Sequence, residues 1–464
     1  MVGKIRQLFR PAPYLDVTKS PEEIDRDYKH WRIRIFYSMY MGYVFYYFTR
    51  KSFTFAMPKL IDDLGFSNAD LGFLGSALYI SYGASKFASG ILSDRSNPRY
   101  FMSFGLIFTG IANILFGMSS SLYMFAIFWT INGIFQGWGW PPCTKQLTYW
   151  FSKSERGFWW SFKSTSHNVG GALIPLFVAL VSSWAGWRWS MYAPGILSIV
   201  MGLILLERLR DVPQSLGLPP VEEYRGEPDS EETESKQESN GEKSLSVKQI
   251  LFNEVLSNKS VWMLALSYFF VYVVRTAVND WGTLYLHKVK GFSLIEAAAS
   301  ISWFELGGFF GCLAAGWCSD HWFEGRRVPF MVLCAVGLLA CINLFWTLPG
   351  DQLWLENTLM ASIGFLIFGP QMLVGLAAAE FVDKKAACTA NGFAGCFAYV
   401  GAAATGYPLG KIIDLWGWKG YFTTLIICAA LFLVILFPLW LSRRPQAVKA
   451  SLKPSSSSPH TIKA

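Results

Sequence analysis

The chain has 464 residues, of which 52% are hydrophobic, 17% aromatic and only 16% charged. Soluble domains carry about a quarter charged residues, so the composition excludes an ordinary soluble enzyme as well as a disordered or disulfide-rich secreted protein. The apolar residues form about twelve runs of roughly 20 residues, the length that an α-helix needs to cross a bilayer. The sequence therefore predicts an all-α integral membrane protein with 12 transmembrane helices.

The first segment, residues 1–32, is a polar tail without the apolar core or the small-residue cleavage site of a signal peptide. Basic residues occur in this tail and in alternate connectors, whereas the connectors at 118–122 and 348–353 are nearly free of them. Because Lys and Arg remain on the cytoplasmic side of a membrane, both termini are predicted to be cytoplasmic. The net charge of +8 then reports membrane topology and not nucleic-acid binding, and the expected location is the cell inner membrane.

A polar stretch divides the chain near its middle. Residues 209–257 are rich in Glu and Ser, which is typical of a solvated linker. We expect a six-helix half over 33–208, a cytoplasmic linker over 209–257, a second six-helix half over 258–442 and a cytoplasmic tail over 443–464.

The two halves share an internal repeat. Residues 65–70 read GFSNAD and residues 291–296 read GFSLIE, an offset of 226 (291 − 65). Both motifs have the form of an N-cap Ser with an acidic residue three positions later. Residues 90–94 and 316–320 share G-x-x-S-D at the same offset, and Tyr43, Tyr47 and Arg50 match Tyr268, Tyr272 and Arg275 at an offset of 225 (275 − 50). Agreement at three places indicates duplication.

Two six-helix halves of the same topology, joined by a cytoplasmic linker, form the plan of the major facilitator transporters. The two G-x-x-S-D stretches, with the basic residues after them, resemble the cytoplasmic loop motif of that superfamily. The resemblance implies a gate at the cytoplasmic face in which Arg156 is the candidate partner of Asp94; the alternative is that these charges only set topology. The candidate gating residues are Asp94, Arg95, Arg156, Asp320 and Arg326.

Arg50 and Arg275 lie well inside apolar runs, where a charge is costly and indicates function. Equivalent helices of the two halves face each other across the central cavity, so the two guanidinium groups are expected there at one depth. Two forked cations suit a dianionic oxyanion such as phosphate. The alternative is structural ion pairing, for which Asp280 and Glu305 are the main candidate partners.

Three further cations are candidates for the same cavity. Lys86 lies in the second run, one turn after Tyr82, and His167 lies in the fifth run. An imidazole beside a phosphate can share a proton, since both titrate near neutral pH. Lys163, four residues before His167, shares its helical face, or it faces the cytoplasm instead.

The chain also resembles the organophosphate:phosphate antiporter family over nearly its whole length. The resemblance rests on residues 46–51 (YYFTRK), 93–99 (SDRSNPR), 137–143 (GWGWPPC), 167–171 (HNVGG) and 210–220 (RDVPQSLGLPP). It implies exchange of a phosphorylated metabolite for inorganic phosphate by a functional monomer without a cofactor or a metal. The implied substrate-binding residues are Arg50, Arg275, Lys86, His167, Tyr43, Tyr47, Tyr82, Trp140, Lys163, Tyr272 and Tyr399.

Within that family the sequence most resembles the bacterial hexose-phosphate transporters, and this resemblance favours glucose-6-phosphate as the substrate. Two departures leave the substrate open: Lys163 stands where relatives usually carry Trp, and Phe368 replaces a Tyr of the glycerol-phosphate members. The alternatives are a glycerol-3-phosphate:phosphate antiporter and a transporter-like sugar-phosphate sensor acting with a membrane kinase. An enzyme is not expected, because the runs contain no carboxylate pair, metal-ligand cluster or activated nucleophile; the eight cysteines are interpreted as buried apolar residues.

Overall fold

A computed structural model describes residues 9–94, 96–152, 155–226, 252, 255–350, 352–382 and 387–441. Within these ranges the regular structure is helical and contains no strand. The first half comprises α1 (Pro21–Leu64), α2 (Asn68–Asp94), α3 (Pro98–Met118), α4 (Leu122–Gln136), α5 (Trp140–Trp150), α6 (Arg156–Ser164), α7 (Ser166–Ala185) and α8 (Trp189–Arg208). The second comprises α10 (Lys259–Lys288), α11 (Leu294–His321), α12 (Arg327–Thr347), α13 (Leu353–Glu380), α14 (Ala387–Ala404) and α15 (Tyr407–Leu441).

Eight helical stretches of the described chain are long and apolar enough to cross a membrane. The predicted all-α membrane fold is therefore confirmed, whereas the count of twelve spans stays a prediction. Several helices are interrupted: α4 and α5 are separated by residues 137–139, α6 and α7 meet at Thr165, and α15 contains Gly417 at φ 62°. Pairing α4 with α5, and α6 with α7, gives six spans in the first half.

The repeated caps form as the sequence predicts. The backbone N–H of Asp70 donates to Ser67 Oγ at 3.1 Å, and the N–H of Glu296 donates to Ser293 Oγ at 3.2 Å. Each acidic side chain accepts in return from the N–H of its serine, at 3.0 and 2.9 Å respectively. These reciprocal bonds satisfy backbone donors at the first turn and start α2 and α11 at equivalent places.

We define the outer end of the bundle as the end where α1 passes into α2, and the inner end as the opposite one, where α1 begins. At the outer end the halves are joined by polar contacts. Lys288 Nζ donates to Asp62 at 2.5 Å, and Asp414 accepts from the backbone N–H groups of Asn68 and Ala69 at 3.1 and 2.7 Å. Gly72 and Gly406 bring α2 and the start of α15 into backbone contact, since a Cβ on either would clash with the other's carbonyl oxygen.

At the inner end, part of the segment predicted as a solvated linker is folded. Residues Pro213–Leu216 form a 3₁₀ turn and Val221–Arg225 form α9, and Leu218 and Val221 are buried. Tyr224 stacks on Tyr28 with ring centroids 4.0 Å apart. The apolar residues spaced among the prolines explain this packing, which the bulk composition of 209–257 conceals.

A bridging carboxylate fastens this folded segment to the first half. Glu155 Oε1 accepts from Arg32 at 2.5 Å, and its Oε2 accepts from Arg225 on α9 at 2.8 Å. Burial alone would raise the pKa of Glu155, but the two guanidinium groups hold it below its usual range. The inner end of α1, the connector before α6 and α9 are thereby tied together.

Candidate functional site

A cavity of about 240 Å³ lies between the halves in the middle of the bundle. Ten of the predicted binding residues line it, from α1, α2, α5, α7, α10 and α14. These residues are Tyr43, Tyr47, Arg50, Tyr82, Lys86, Trp140, His167, Tyr272, Arg275 and Tyr399. The cavity wall is thus rich in aromatic rings and cations from both repeats.

Arg50 is buried and is held firmly in place. Its Nε and Nη2 donate to Oε1 of Gln136 on α4 at 3.1 and 3.0 Å. The Nε2 of Gln136 donates in turn to the Tyr46 carbonyl at 3.1 Å and to Thr49 Oγ1 at 3.0 Å. The guanidinium carbon also lies 4.6 Å from the ring centroids of both Tyr47 and Tyr82. These contacts orient the charged fork before any ligand arrives.

Arg275 has different surroundings although it is the repeat equivalent of Arg50. Its guanidinium carbon lies 4.5 Å from the ring centroid of Phe368 and 5.6 Å from that of Tyr272. Within the described part of the chain it donates no hydrogen bond to a side-chain carboxylate or amide. Aromatic faces therefore support this cation, and the Tyr47 side chain is its polar neighbour.

Neither candidate carboxylate forms an ion pair with the arginines within the described ranges. Asp280 pairs with Lys51 at 2.6 Å across the halves and also accepts from the Tyr79 hydroxyl at 2.6 Å. Glu305 accepts from Asn279 at 2.6 Å and from Asn168 at 3.3 Å, so it links α10, α11 and α7. The two acids form contacts between helices, and Glu305 attracts Arg275 from beyond ion-pair distance.

The remaining cations occupy two kinds of place. Lys86 lies on the cavity wall, where its Nζ donates to the Tyr399 hydroxyl at 2.8 Å. Lys163 is fully buried behind that wall, with its Nζ 3.4 Å from the Trp140 centroid and 3.9 Å from the Tyr43 centroid. Its Nζ has no hydrogen-bond partner. Lys163 therefore contacts the rings of two residues that line the cavity but does not line it itself.

His167 reaches the cavity because α7 packs closely on its neighbours. A Cβ on Gly170 would lie 2.7 Å from Tyr47 Cβ, and one on Gly171 would lie 2.7 Å from the Glu305 carboxyl carbon. The two glycines therefore allow α1 and α11 to approach α7. The centroid of the imidazole ring lies 6.0 Å from that of the Tyr47 ring and 6.4 Å from that of the Phe368 ring.

Several cavity residues are not predicted from the sequence. Lys51 directly follows Arg50 in the sequence, and Gln136, behind the wall, is one of two amides in the apolar helix α4. The other missed residues on the wall are Tyr79, Thr276, Asn279, Gln371 and Ala402. Helical spacing from Tyr82, Tyr272, Arg275 and Tyr399 could have indicated the first three and Ala402, whereas Gln371 lies on α13, which carries no predicted binding residue.

The predicted gate is described only in part. Arg95 lies outside the described residues, and so do the side chains of Asp94, Arg156 and Asp320. Arg326 donates to the Trp440 carbonyl at 2.8 Å, which is a contact within the second half. Its assignment to the gate stays a prediction. Among the described residues, no cluster of three or more His, Cys, Asp or Glu could hold a metal ion.

The fold and the cavity define a secondary transporter. A family model for the Major Facilitator Superfamily matches residues 39–405. The chain is 16% identical, with a TM-score of 0.68, to a crystal structure of a bacterial homologue of the human lysosomal transporter Spinster in an inward-facing, unoccupied conformation; 88% of this chain and 96% of that chain are covered. This likeness supports the fold alone.

Full-length relatives define the family more narrowly. The chain is 54% identical to the "Probable hexose phosphate transport protein" of Chlamydia pneumoniae, over 94% of this chain and 96% of the relative. It is 47% identical to the "Membrane sensor protein UhpC" of Escherichia coli K12, over 91% and 95% respectively. The chain belongs to the organophosphate:phosphate antiporter family of the major facilitators and is not an enzyme.

Proposed function

We propose that the chain imports a sugar phosphate, with glucose-6-phosphate favoured, in exchange for inorganic phosphate. The observation that carries the proposal is that Arg50 and Arg275, one from each repeat, line a single cavity without a carboxylate partner among the described residues. A dianionic phosphate accepts hydrogen bonds from both forks at once, which a single carboxylate cannot match. Lys86 and His167 assist at the same wall.

The sugar moiety fits the aromatic part of the cavity. Tyr43, Tyr47, Tyr82, Trp140 and Tyr399 offer ring faces to the C–H groups of a polyol and, except for Trp140, hydroxyls to its OH groups. Phe368 supports Arg275 without a hydroxyl of its own. The resemblance to the chlamydial hexose phosphate protein favours a hexose phosphate over glycerol-3-phosphate.

Exchange follows from the electrostatics of the cavity. Without an anion, the two arginines repel each other in a poorly solvated space, so closure around an empty cavity is unfavourable. A bound phosphate offsets the repulsion and bridges the halves, which allows the cavity to open alternately to either side. A ligand shifts such an equilibrium only through its different affinity for the two states, and phosphate and its esters share the required group.

The proposed setting is the inner membrane, with both termini in the cytoplasm and the chain working as a monomer. The basic residues of the inner-end connectors support this orientation. The inner end is then the cytoplasmic side. Among the described residues the polar contacts between the halves beyond the cavity lie at the outer end, which agrees with a cavity that faces the cytoplasm.

Competition in proteoliposomes tests the substrate. Uptake of labelled phosphate into phosphate-loaded vesicles is measured against unlabelled glucose-6-phosphate, glycerol-3-phosphate and phosphoenolpyruvate. Strongest inhibition by glucose-6-phosphate supports the proposal, and strongest inhibition by glycerol-3-phosphate favours the other antiporter.

The likeness to the sensor UhpC makes a sensor the second candidate, and saturable binding of glucose-6-phosphate without turnover would identify it.

A further inference from the structure

A second cavity lies on the outside of the bundle, between α1 and α8, in the inner half of the spans. Its volume is about 860 Å³, and its walls are largely apolar, with Met41, Phe45, Val200 and Leu203 among them. It extends along α8 from Leu197 to Arg208, a length of about 16 Å, which matches the roughly 15 Å hydrocarbon depth of one leaflet. A groove of this length and polarity fits an acyl chain.

The groove adjoins another cavity at the inner end that has basic residues in its wall. A smaller cavity of about 390 Å³ shares Tyr37 and Arg208 with the groove and is also lined by His30 and Arg34. The apolar walls thus end where cationic walls begin. A phospholipid has the same order from the bilayer interior outward, because its apolar acyl chain is followed by its charged headgroup.

Four arginines lie near one another at the inner end and form an inner cationic patch: Arg34 and Arg208, which line the smaller cavity, and Arg99 and Arg210, which contact the end of α8. Only one carboxylate, Glu207, pairs with members of the patch among the described residues; it contacts Arg34 and lies 3.8 Å from Arg208. Arg99 and Arg210 donate instead to backbone carbonyls, at 2.5 Å to Leu206 and 2.7 Å to Glu207. The patch therefore holds an excess of positive charge.

The cations of the patch are close enough to repel one another. Burial, followed by repulsion from Arg99 and Arg34, lowers the pKa of Arg210. The ring of Trp31 lies between two members of the patch, 5.2 Å from the Arg34 guanidinium carbon and 4.7 Å from that of Arg210. Tryptophan and arginine at the end of a span belong at the headgroup level of the bilayer. An anion at this place would relieve the repulsion.

We infer that the groove between α1 and α8, together with the inner cationic patch, is a binding site for an anionic phospholipid. The acyl chain lies against the apolar walls, and the phosphodiester accepts hydrogen bonds from the arginines. Basic pockets between spans are suited to anionic headgroups, and a concave apolar wall holds one lipid longer than a convex one. The site lies apart from the central cavity, so the inference does not depend on the proposed transport function.

Lipid retention by the purified protein tests the inference. The protein in detergent is incubated with an equal mixture of phosphatidylglycerol and phosphatidylcholine, freed of excess lipid, and analysed by native mass spectrometry. We expect wild type to retain phosphatidylglycerol preferentially. The double variant Arg208→Gln, Arg210→Gln should retain about 25-fold less, since each arginine near an anionic lipid contributes roughly a fivefold change.

Arg26→Gln, which removes one exposed charge from α1 away from the patch, is the matched control and should retain phosphatidylglycerol like wild type. Val200→Trp fills the groove from an exposed position without changing charge, and it should lower retention of both lipids. It also keeps the test decisive if the arginine variant does not fold. Equal retention of the two lipids by wild type, or undiminished phosphatidylglycerol on Val200→Trp, would overturn the inference.

Discussion

The guanidinium of Arg50 donates two hydrogen bonds to one oxygen, Oε1 of Gln136, whereas Arg275 rests on aromatic faces. The repeat places the two arginines in equivalent positions, yet the helix packed against each offers a different group. The fork of Arg50 is thus oriented in advance, which lowers the cost of ordering it around phosphate. Gln136 is a positioning residue for the proposed phosphate site.

Replacing Gln136 with Leu should weaken phosphate binding. The change removes the acceptor that orients Arg50, which costs about 1–3 kcal/mol, or roughly five- to 150-fold in affinity. Gln136→Glu should be worse, because a carboxylate competes with phosphate for the guanidinium. Phosphate counterflow gives both values, and Gln214→Leu at the inner end is a control of the same chemistry. Unchanged affinity in Gln136→Leu would remove the positioning role.

The ion pair between Lys51 and Asp280 should hold the cavity closed at the outer side. Asp280→Asn leaves the buried Lys51 ammonium without its carboxylate. In comparable sites such a change lowers the free energy of unfolding by about 3–5 kcal/mol. We expect transport to fall by at least tenfold. The double variant Lys51→Met, Asp280→Leu should recover part of it, because no charge is then left unpaired.

Thiol accessibility distinguishes loss of closure from loss of folding. A cysteine placed at Ala402, which lines the cavity, should react faster with an impermeant reagent from the outer side when Asp280 is Asn. An unchanged labelling rate in a folded, inactive variant would show that the pair does not control access.

The buried ammonium of Lys163 should lower the stability of the folded protein. A buried ammonium with two ring contacts gains roughly 2 kcal/mol from them but loses its hydration, a penalty of several kcal/mol. Lys163→Met should therefore unfold at the same or a higher temperature, and its affinity for phosphate should fall by a few-fold because one cation near the site is lost. Lower thermal stability with unaltered affinity would contradict both parts. Differential scanning fluorimetry and counterflow give the two readings.

The bridge through Glu155 should make part of the stability depend on pH. Because the pKa of Glu155 is lowered in the folded protein, the bridge contributes fully above the unfolded carboxyl's pKa near 4.5 and loses its effect as pH falls through the lower folded value. Thermal unfolding should distinguish Glu155→Gln from wild type at neutral pH and bring the two together in acid. A constant difference at all pH values would exclude the ionised bridge as the cause.

The sequence predicts the all-α membrane fold and the cavity arginines well, because both follow from local patterns. Charges inside apolar runs are visible without a structure, and the repeat indicates that Arg50 and Arg275 share a depth. The caps at Ser67 and Ser293 are equally local.

Contacts between helices that are distant in the chain could not be read in the same way. Whether Asp280 faces an arginine or Lys51 depends on the rotation of α10 against α1, and the support of Arg50 depends on the rotation of α4. Lys163 lies behind the wall because α5 places Trp140 between it and the cavity. Periodicity gives a face of one helix but not the neighbour that the face meets.

The most direct test of the account is the dependence of uptake on phosphate inside the vesicle. Labelled glucose-6-phosphate is offered to two sets of proteoliposomes. One set contains phosphate, and the other contains the same concentration of a buffer that has neither phosphate nor sulfate. Obligatory exchange predicts uptake by the phosphate-loaded vesicles, little uptake by the others, and near inactivity of Arg275→Lys in both, since a point charge cannot replace the fork. Uptake at the same rate with and without internal phosphate would contradict it.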